Sequence, residues 1–159
     1  MILIGGGDHA ADIAYDLSIG AVNRVDHHSL WDGRVPVIIG INNPTLRAKV
    51  AAELGIDDAL WVHRGAHVGH GCTFGVGVHV NYNSSMVRTK IGDHTTVSPG
   101  VTICGGVRIG NRVLLGAGSV VCDKATIGDD VIIGAGSVVL PHQTINEGTW
   151  VGSPARRIK

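Results

Sequence analysis

Between Val62 and Val151 an apolar residue recurs at a fixed interval of six. The positions are Val62, Val68, Phe74, Val80 and Met86, then Ile91, Val97, Ile103, Ile109, Leu115, Val121, Ile127, Ile133, Val139, Ile145 and Val151. All 16 are apolar, and 8 are followed directly by glycine. One step is short: MVRTK, ahead of Ile91, spans five residues. Neither a helix nor a flat strand produces a period of six, because their faces repeat at about 3.6 and 2 residues. A sixfold beat calls for a short strand, a corner and another short strand, repeated around a closed coil. Three such steps complete a turn, so each first-position side chain points to the axis and stacks on its counterpart ~4.8 Å away. About five coils are predicted, each burying the face of the next.

The first 58 residues follow another pattern. MILI reads as a short buried strand. Asp8 is an N-cap for a helix over HAADIAYDLSI, with Ile13 and Leu17 on one face and Gly20 as the stop. AVNRV is a second strand ending at Asp26, and VPVII (35–39) a third. Asn43 caps and Pro44 opens a second helix, PTLRAKVAAEL, closed by Gly55. With a last strand near Ala59–Val62, this predicts a small Rossmann-like α/β unit over residues 1–58, followed by a parallel β-helix over 59–159.

Composition agrees: 24 glycines and 4% aromatics suit many short strands with tight corners rather than a helical bundle. The formal net charge is zero, from 13 basic and 13 acidic residues, which gives no reason to expect nucleic acid or an anionic membrane as partner. MILIGGGDHA lacks the charged start of a signal peptide, and no apolar run reaches the ~18 residues of a membrane helix. A cytoplasmic protein without membrane insertion is expected. Cys72, Cys104 and Cys122 form no metal-type cluster. Cys104 and Cys122 stand one coil apart, ~5 Å by strand spacing; a disulfide fits, and free stacked thiols suit a reducing cell better.

Gly5-Gly6-Gly7-Asp8-His9-Ala10 fits G-x-G-x-x-A between a strand and a helix, with Asp26 at the end of the next strand. Glycines let a phosphate approach the backbone, the helix offers free N–H groups, and Asp26 can accept from a ribose hydroxyl. A tight turn that binds nothing fits the same residues. Half a dinucleotide fold favours a nucleotide-sugar over a full dinucleotide.

The run IGNRVL, LGAGSV, IGDDVI and IGAGSV resembles the hexapeptide-repeat acyltransferases. GGGDHA, IGINNPTLR, VNYNSS and VGSPARRI resemble segments of their sugar O- and N-acyltransferases, the enzymes that acetylate bacillosamine, perosamine or sialic acid. The resemblance implies a left-handed parallel β-helix assembled as a homotrimer, and transfer of acetyl from acetyl-CoA to an amino or hydroxyl group of a nucleotide-linked sugar, with no metal. It also implies that Gly5, Gly7, His9, Asp26 and Asn81 meet the substrate. CoA would lie along the groove between adjacent β-helices, at Gly116, Gly118, Gly134, Gly136 and Pro154, with Arg156 and Arg157 near its phosphates or simply solvated.

The family's catalytic histidine belongs to the hexad opening at Met86. Here that position is Arg88, followed by Thr89. His94, one hexad on, and His70, one coil lower on the face of Arg88, are the candidate bases. His79, read as outward-facing, is a weaker one, and His63 reads as structural. Alternatively the departing CoA thiolate takes the proton, and Arg88 orients a phosphate, a sugar carboxylate or the thioester carbonyl. Two other classes stand beside the enzyme: a non-catalytic trimeric scaffold, which the missing histidine favours, and a metalloenzyme like the γ-type carbonic anhydrases, which the histidine spacing does not.

Overall fold

The computed structural model describes Ile2–Ile4 and residues 37–159. The expected first helix, the strand AVNRV and the candidate residues Gly5, Gly7, His9 and Asp26 lie outside the described residues. Strand β1 (Ile2–Ile4) pairs in parallel with β2 (Val37–Ile39). Helix α1 (Pro44–Leu54) occupies the predicted span. Asn43 accepts from the Leu46 N–H through its side chain (2.9 Å), Pro44 opens the first turn, and Gly55 closes it at φ 62°.

From Trp61 the chain is a parallel β-solenoid of about five turns. Fifteen two-residue strands, β3 (Trp61–Val62) to β17 (Thr144–Ile145), fall on three faces. Face one carries Trp61–Val62, His79–Val80, Thr96–Val97, Leu114–Leu115 and Ile132–Ile133; face two follows from His67–Val68 and face three from Thr73–Phe74. β18 (Thr149–Val151) extends face one, and β19 (Arg156–Arg157) folds back antiparallel on it. Trp61–Val62, expected as the last strand of the α/β unit, pairs with His79–Val80 as the first strand of the coil.

Twelve of the sixteen periodic residues, Val80 to Ile145, are buried, and the exceptions lie in the first coil and at the chain's last turn. A second inward row lies two positions before each, running Val78, Ser84, Thr89, Thr95, Val101, Val107, Val113, Ser119, Ala125, Val131 and Ser137. Small and β-branched residues fit there because the corner narrows the interior. The beat ends at Ile145: Trp150, not Val151, pairs with Ile133, so the last step is also five residues.

From Gly71 onward each corner turns on one left-handed residue, and these stack in columns. The first corner carries Asn83, Gly100, Gly118 and Gly136; the second Gly71, Arg88, Gly106, Lys124 and His142; the third Gly77, His94, Arg112, Asp130 and Gly148. The short step lies in the second corner, where Val87, Arg88 and Thr89 do what four residues do elsewhere. Arg88 keeps its place in the column, its N–H bonded to His70 O at 3.0 Å. The slip is taken up one coil above. Lys124 and His142 bond the carbonyl of the residue before the left-handed one below, namely Gly105 and Asp123, whereas Gly106 bonds that of Arg88 itself at 3.0 Å.

Candidate active site

The polar interior gathers where α1 meets the first two coils. Arg47 projects from α1 with no exposed surface. Its Nε donates to Gly77 O (3.2 Å), Nη1 to Ile41 O (2.6 Å) and Thr96 Oγ1 (3.0 Å), and Nη2 to His94 O (2.5 Å). Thr96 passes its own proton to Asn42 O at 3.0 Å. Asp58, 1% exposed, takes the Ile39 N–H on Oδ1 at 2.8 Å and faces Arg47 Nε with Oδ2 at 3.3 Å. Burial pulls the guanidinium down to about 10, against the opposing pull of Asp58; it remains the cation at neutral pH.

Two histidines complete the cluster. His79 Nε2 and His94 Nδ1 each lie 3.8 Å from Asp58 Oδ2. His79 was expected to face outward; it is fully buried. It does sit on the outer side of face one, but Arg47 and Asp58 cover that side in the first coils, and Trp61 meets its ring at 5.8 Å between centroids. His94 keeps 17% of its side chain exposed, and its Nδ1 is buried. Gly77, directly below in the third-corner column, makes the room: a Cβ there would overlap His94 Nδ1 and Asp58 Oδ2.

The other candidates are spread over the corners. Asn81 belongs to the first corner, buried, with its Nδ2 on Val97 O at 3.0 Å. Gly116, Gly118, Gly134 and Gly136 stand above it on the same corner. Gly118 and Gly136 open onto free space, whereas a side chain on Gly116 would strike the backbone of Ala135. Pro154 lies between β18 and β19. His70 and Arg88 share the second corner, both exposed. His94 does not turn toward Arg88, because it belongs to the third corner, where its ring meets Asp58. The side chain of Arg88 instead lies over Gly105 of the coil above. One protomer therefore does not bring His94, Arg88 and the glycines together.

Three smaller features complete the picture. His63 is held locally, its Nδ1 accepting from Gly65 N–H at 2.9 Å. The three cysteines are free thiols, and burial, with Asp123 and Cys122 adding to it, pushes the Cys104 thiol up. Arg157 pairs with Glu147 at 2.9 Å. Among the described residues no three His, Cys, Asp or Glu side chains are placed to share a metal ion, and no helix is long and apolar enough to cross a membrane.

Residues 88–123 and 106–141 match the family model for the bacterial transferase hexapeptide (six repeats). Over residues 88–141 the coil is built of hexapeptide repeats. No curated protein matches the sequence as a whole. Among solved structures, this chain resembles PerB from Caulobacter crescentus in complex with CoA and GDP-perosamine, at 26% identity and a TM-score of 0.71, covering 98% of this chain and 95% of that one. It shares its fold with the acetyltransferase domain of PglB from Neisseria gonorrhoeae (21% identity, TM-score 0.73, 99% and 98% covered). WeeI from Acinetobacter baumannii is a more distant likeness (15%, TM-score 0.59, 97% of both chains).

Arg47 and Asp58 are members of the cluster that sequence reasoning missed; His79 was weighed as a weaker candidate base, and its burial was not foreseen. Arg47 lay within IGINNPTLR, a segment noted for its resemblance but assigned no role. Asp58 carried no signal, since an acidic pair after a helix reads as solvated surface.

Proposed function

We propose that the protein is an acetyl-CoA-dependent acetyltransferase acting on an amino or hydroxyl group of a nucleotide-linked sugar, as a homotrimer of left-handed β-helices. The observation that carries this reading is the likeness over nearly the whole chain to a protein that holds both CoA and GDP-perosamine. The scatter of candidates over three corners supports an assembly, because corners of different protomers can meet in a groove that one protomer lacks. Gly118 and Gly136, open and without side chains, suit the acyl-donor arm. Gly5, Gly7, His9 and Asp26 would take the nucleotide, with Asn81 and Arg88 toward the sugar and its phosphates.

In this reading the acceptor nitrogen or oxygen attacks the thioester carbonyl carbon, the carbon–sulfur bond breaks, and CoA leaves as the thiolate. His94 takes the acceptor's proton and returns it to the thiolate. Of the candidate bases, His94 is the one that both faces a buried carboxylate and keeps part of its ring exposed. The test measures thiol release from acetyl-CoA against a panel of GDP- and UDP-linked amino sugars, alongside calorimetry and sedimentation. Thiol release with at least one acceptor, from a trimer, is expected. If neither CoA nor any nucleotide-sugar binds at millimolar concentration, the reading fails.

Arg88, standing where the resemblance places a catalytic histidine, favours a second reading: a trimeric β-helix that binds these ligands and no longer turns them over. Saturable binding without thiol release would select it.

A further inference from the structure

We propose that Asp58 is a positioning residue for His94: its Oδ2 holds the imidazole proton on Nδ1 and leaves Nε2 as the bare, outward nitrogen. The chemical consequence rests on the acetyltransferase reading; the tautomer does not.

His94 is held from two directions by one buried pair. Arg47 Nη2 fixes its backbone carbonyl at 2.5 Å, and Asp58 Oδ2 faces its ring Nδ1 at 3.8 Å. Asp58 is anchored through Oδ1 on the Ile39 N–H, which leaves Oδ2 facing Arg47 Nε at 3.3 Å and the two imidazoles at 3.8 Å. The residue below Nδ1 is Gly77, whose lack of a side chain lets ring and carboxylate approach. Nδ1 is buried and has no hydrogen-bond partner among the described residues, so the ring's exposed part lies on its other edge. His79 shares Oδ2 but is sealed from solvent and cannot serve an external acceptor.

A neutral imidazole carries one N–H, and the group facing one nitrogen decides the state of the other. A carboxylate opposite Nδ1 places the proton there and gives Nε2 a free lone pair, the form a general base needs. The 3.8 Å separation is longer than a hydrogen bond, and such contacts often close only once substrate is bound. His70 and Arg88, both exposed on the second corner, have no such backing.

Long-range 15N–1H spectra of the histidine-labelled protein test this without any turnover. The wild type should show His94 as the Nδ1–H tautomer, and a wild-type His94 protonated on Nε2 would overturn the proposal. In Asp58→Asn an amide can face Nδ1 instead, so the tautomer should change. With an active acceptor, kcat should fall about 10- to 100-fold, the range for lost orienting partners of histidine, with KM within about twofold. Unchanged tautomer and kcat in that variant would sink the idea. Should Asp58→Asn fail to fold, the wild-type spectrum decides alone. If no acceptor supports thiol release, the acetyltransferase reading falls while the tautomer still stands or falls on the spectrum.

Discussion

The coils up to Ser98 and those beyond it obey one six-residue rule and are filled in opposite ways. Nine of the eleven buried polar or charged residues among those described lie at or before Ser98; Ser119 and Ser137 are the two beyond it. The later coils are a column of Ile, Leu and Val closed by backbone ladders, with no charged side chain buried among the described residues. The early coils hold a guanidinium, a carboxylate and an imidazole with no exposed surface. Apolar stacking tolerates exchange of one aliphatic for another, whereas a buried polar cluster is stable only when complete. The early coils are therefore where a single substitution should be felt as a change of state, and the later ones where it should be felt as a change of degree.

The sharpest way to break that contrast is to remove one member from each region. Arg47→Ala strands Asp58 without its cation and frees the carbonyls of Gly77, Ile41 and His94; it should cost about 3–5 kcal/mol, the usual penalty for halving a buried pair. Ile127→Ala, in the later stack, should cost about 2–4 kcal/mol by lost burial and cavity. Denaturant melts of both would test the order, and an Arg47 variant as stable as wild type would erase the distinction.

A finer comparison uses two left-handed glycines. Gly118→Ala pays only for the backbone, at φ 66° with open space around it, about 1 kcal/mol. Gly77→Ala adds overlap with His94 and Asp58 to a similar φ of 63°, so it should cost more, about 2 kcal/mol or above. Equal losses would mean that the space beneath His94 is not filled as described.

The smallest effect belongs to the surface ladder of the third corner. Arg112 donates to Asp130 through Nε (2.7 Å) and Nη2 (2.8 Å), and this hydrogen bonding, against the opposing pull of burial, holds the Asp130 carboxyl below its ordinary 3.8. Its folded value being the lower, the pair stabilises above pH ~4 and fades as acid protonates the carboxylate. Both side chains are substantially exposed, so Asp130→Asn should lose no more than about 0.5 kcal/mol at pH 7 and less at pH ~3. Urea melts at the two pH values would show it.

How much of this could be read in advance follows from how local each feature is. The coil was legible because Val80 to Ile145 repeat a local rule, and α1 because Asn43, Pro44 and Gly55 mark its ends within the chain. The second inward row escaped notice because Ser, Thr, Val and Ala share no hydrophobic signature. Trp150 replaced Val151 because the corner at Asn146–Gly148 is short, and an aromatic one residue early can fill the last layer. Arg47, Asp58 and the burial of His79 were hidden for another reason. Their meeting depends on α1 lying over face one, and no spacing along the chain encodes a contact between residues 47, 58 and 79.

The short second corner has a wider meaning. A repeat can be thought of as a message read in frame, and a missing letter should garble everything after it. Here Gly71, Arg88 and Gly106 remain stacked, and one displaced carbonyl, that of Arg88, restores the phase within a single coil. The frame is kept by the columns rather than by the count. Such a coil can gain or lose a letter at its corners and still be read correctly to the end.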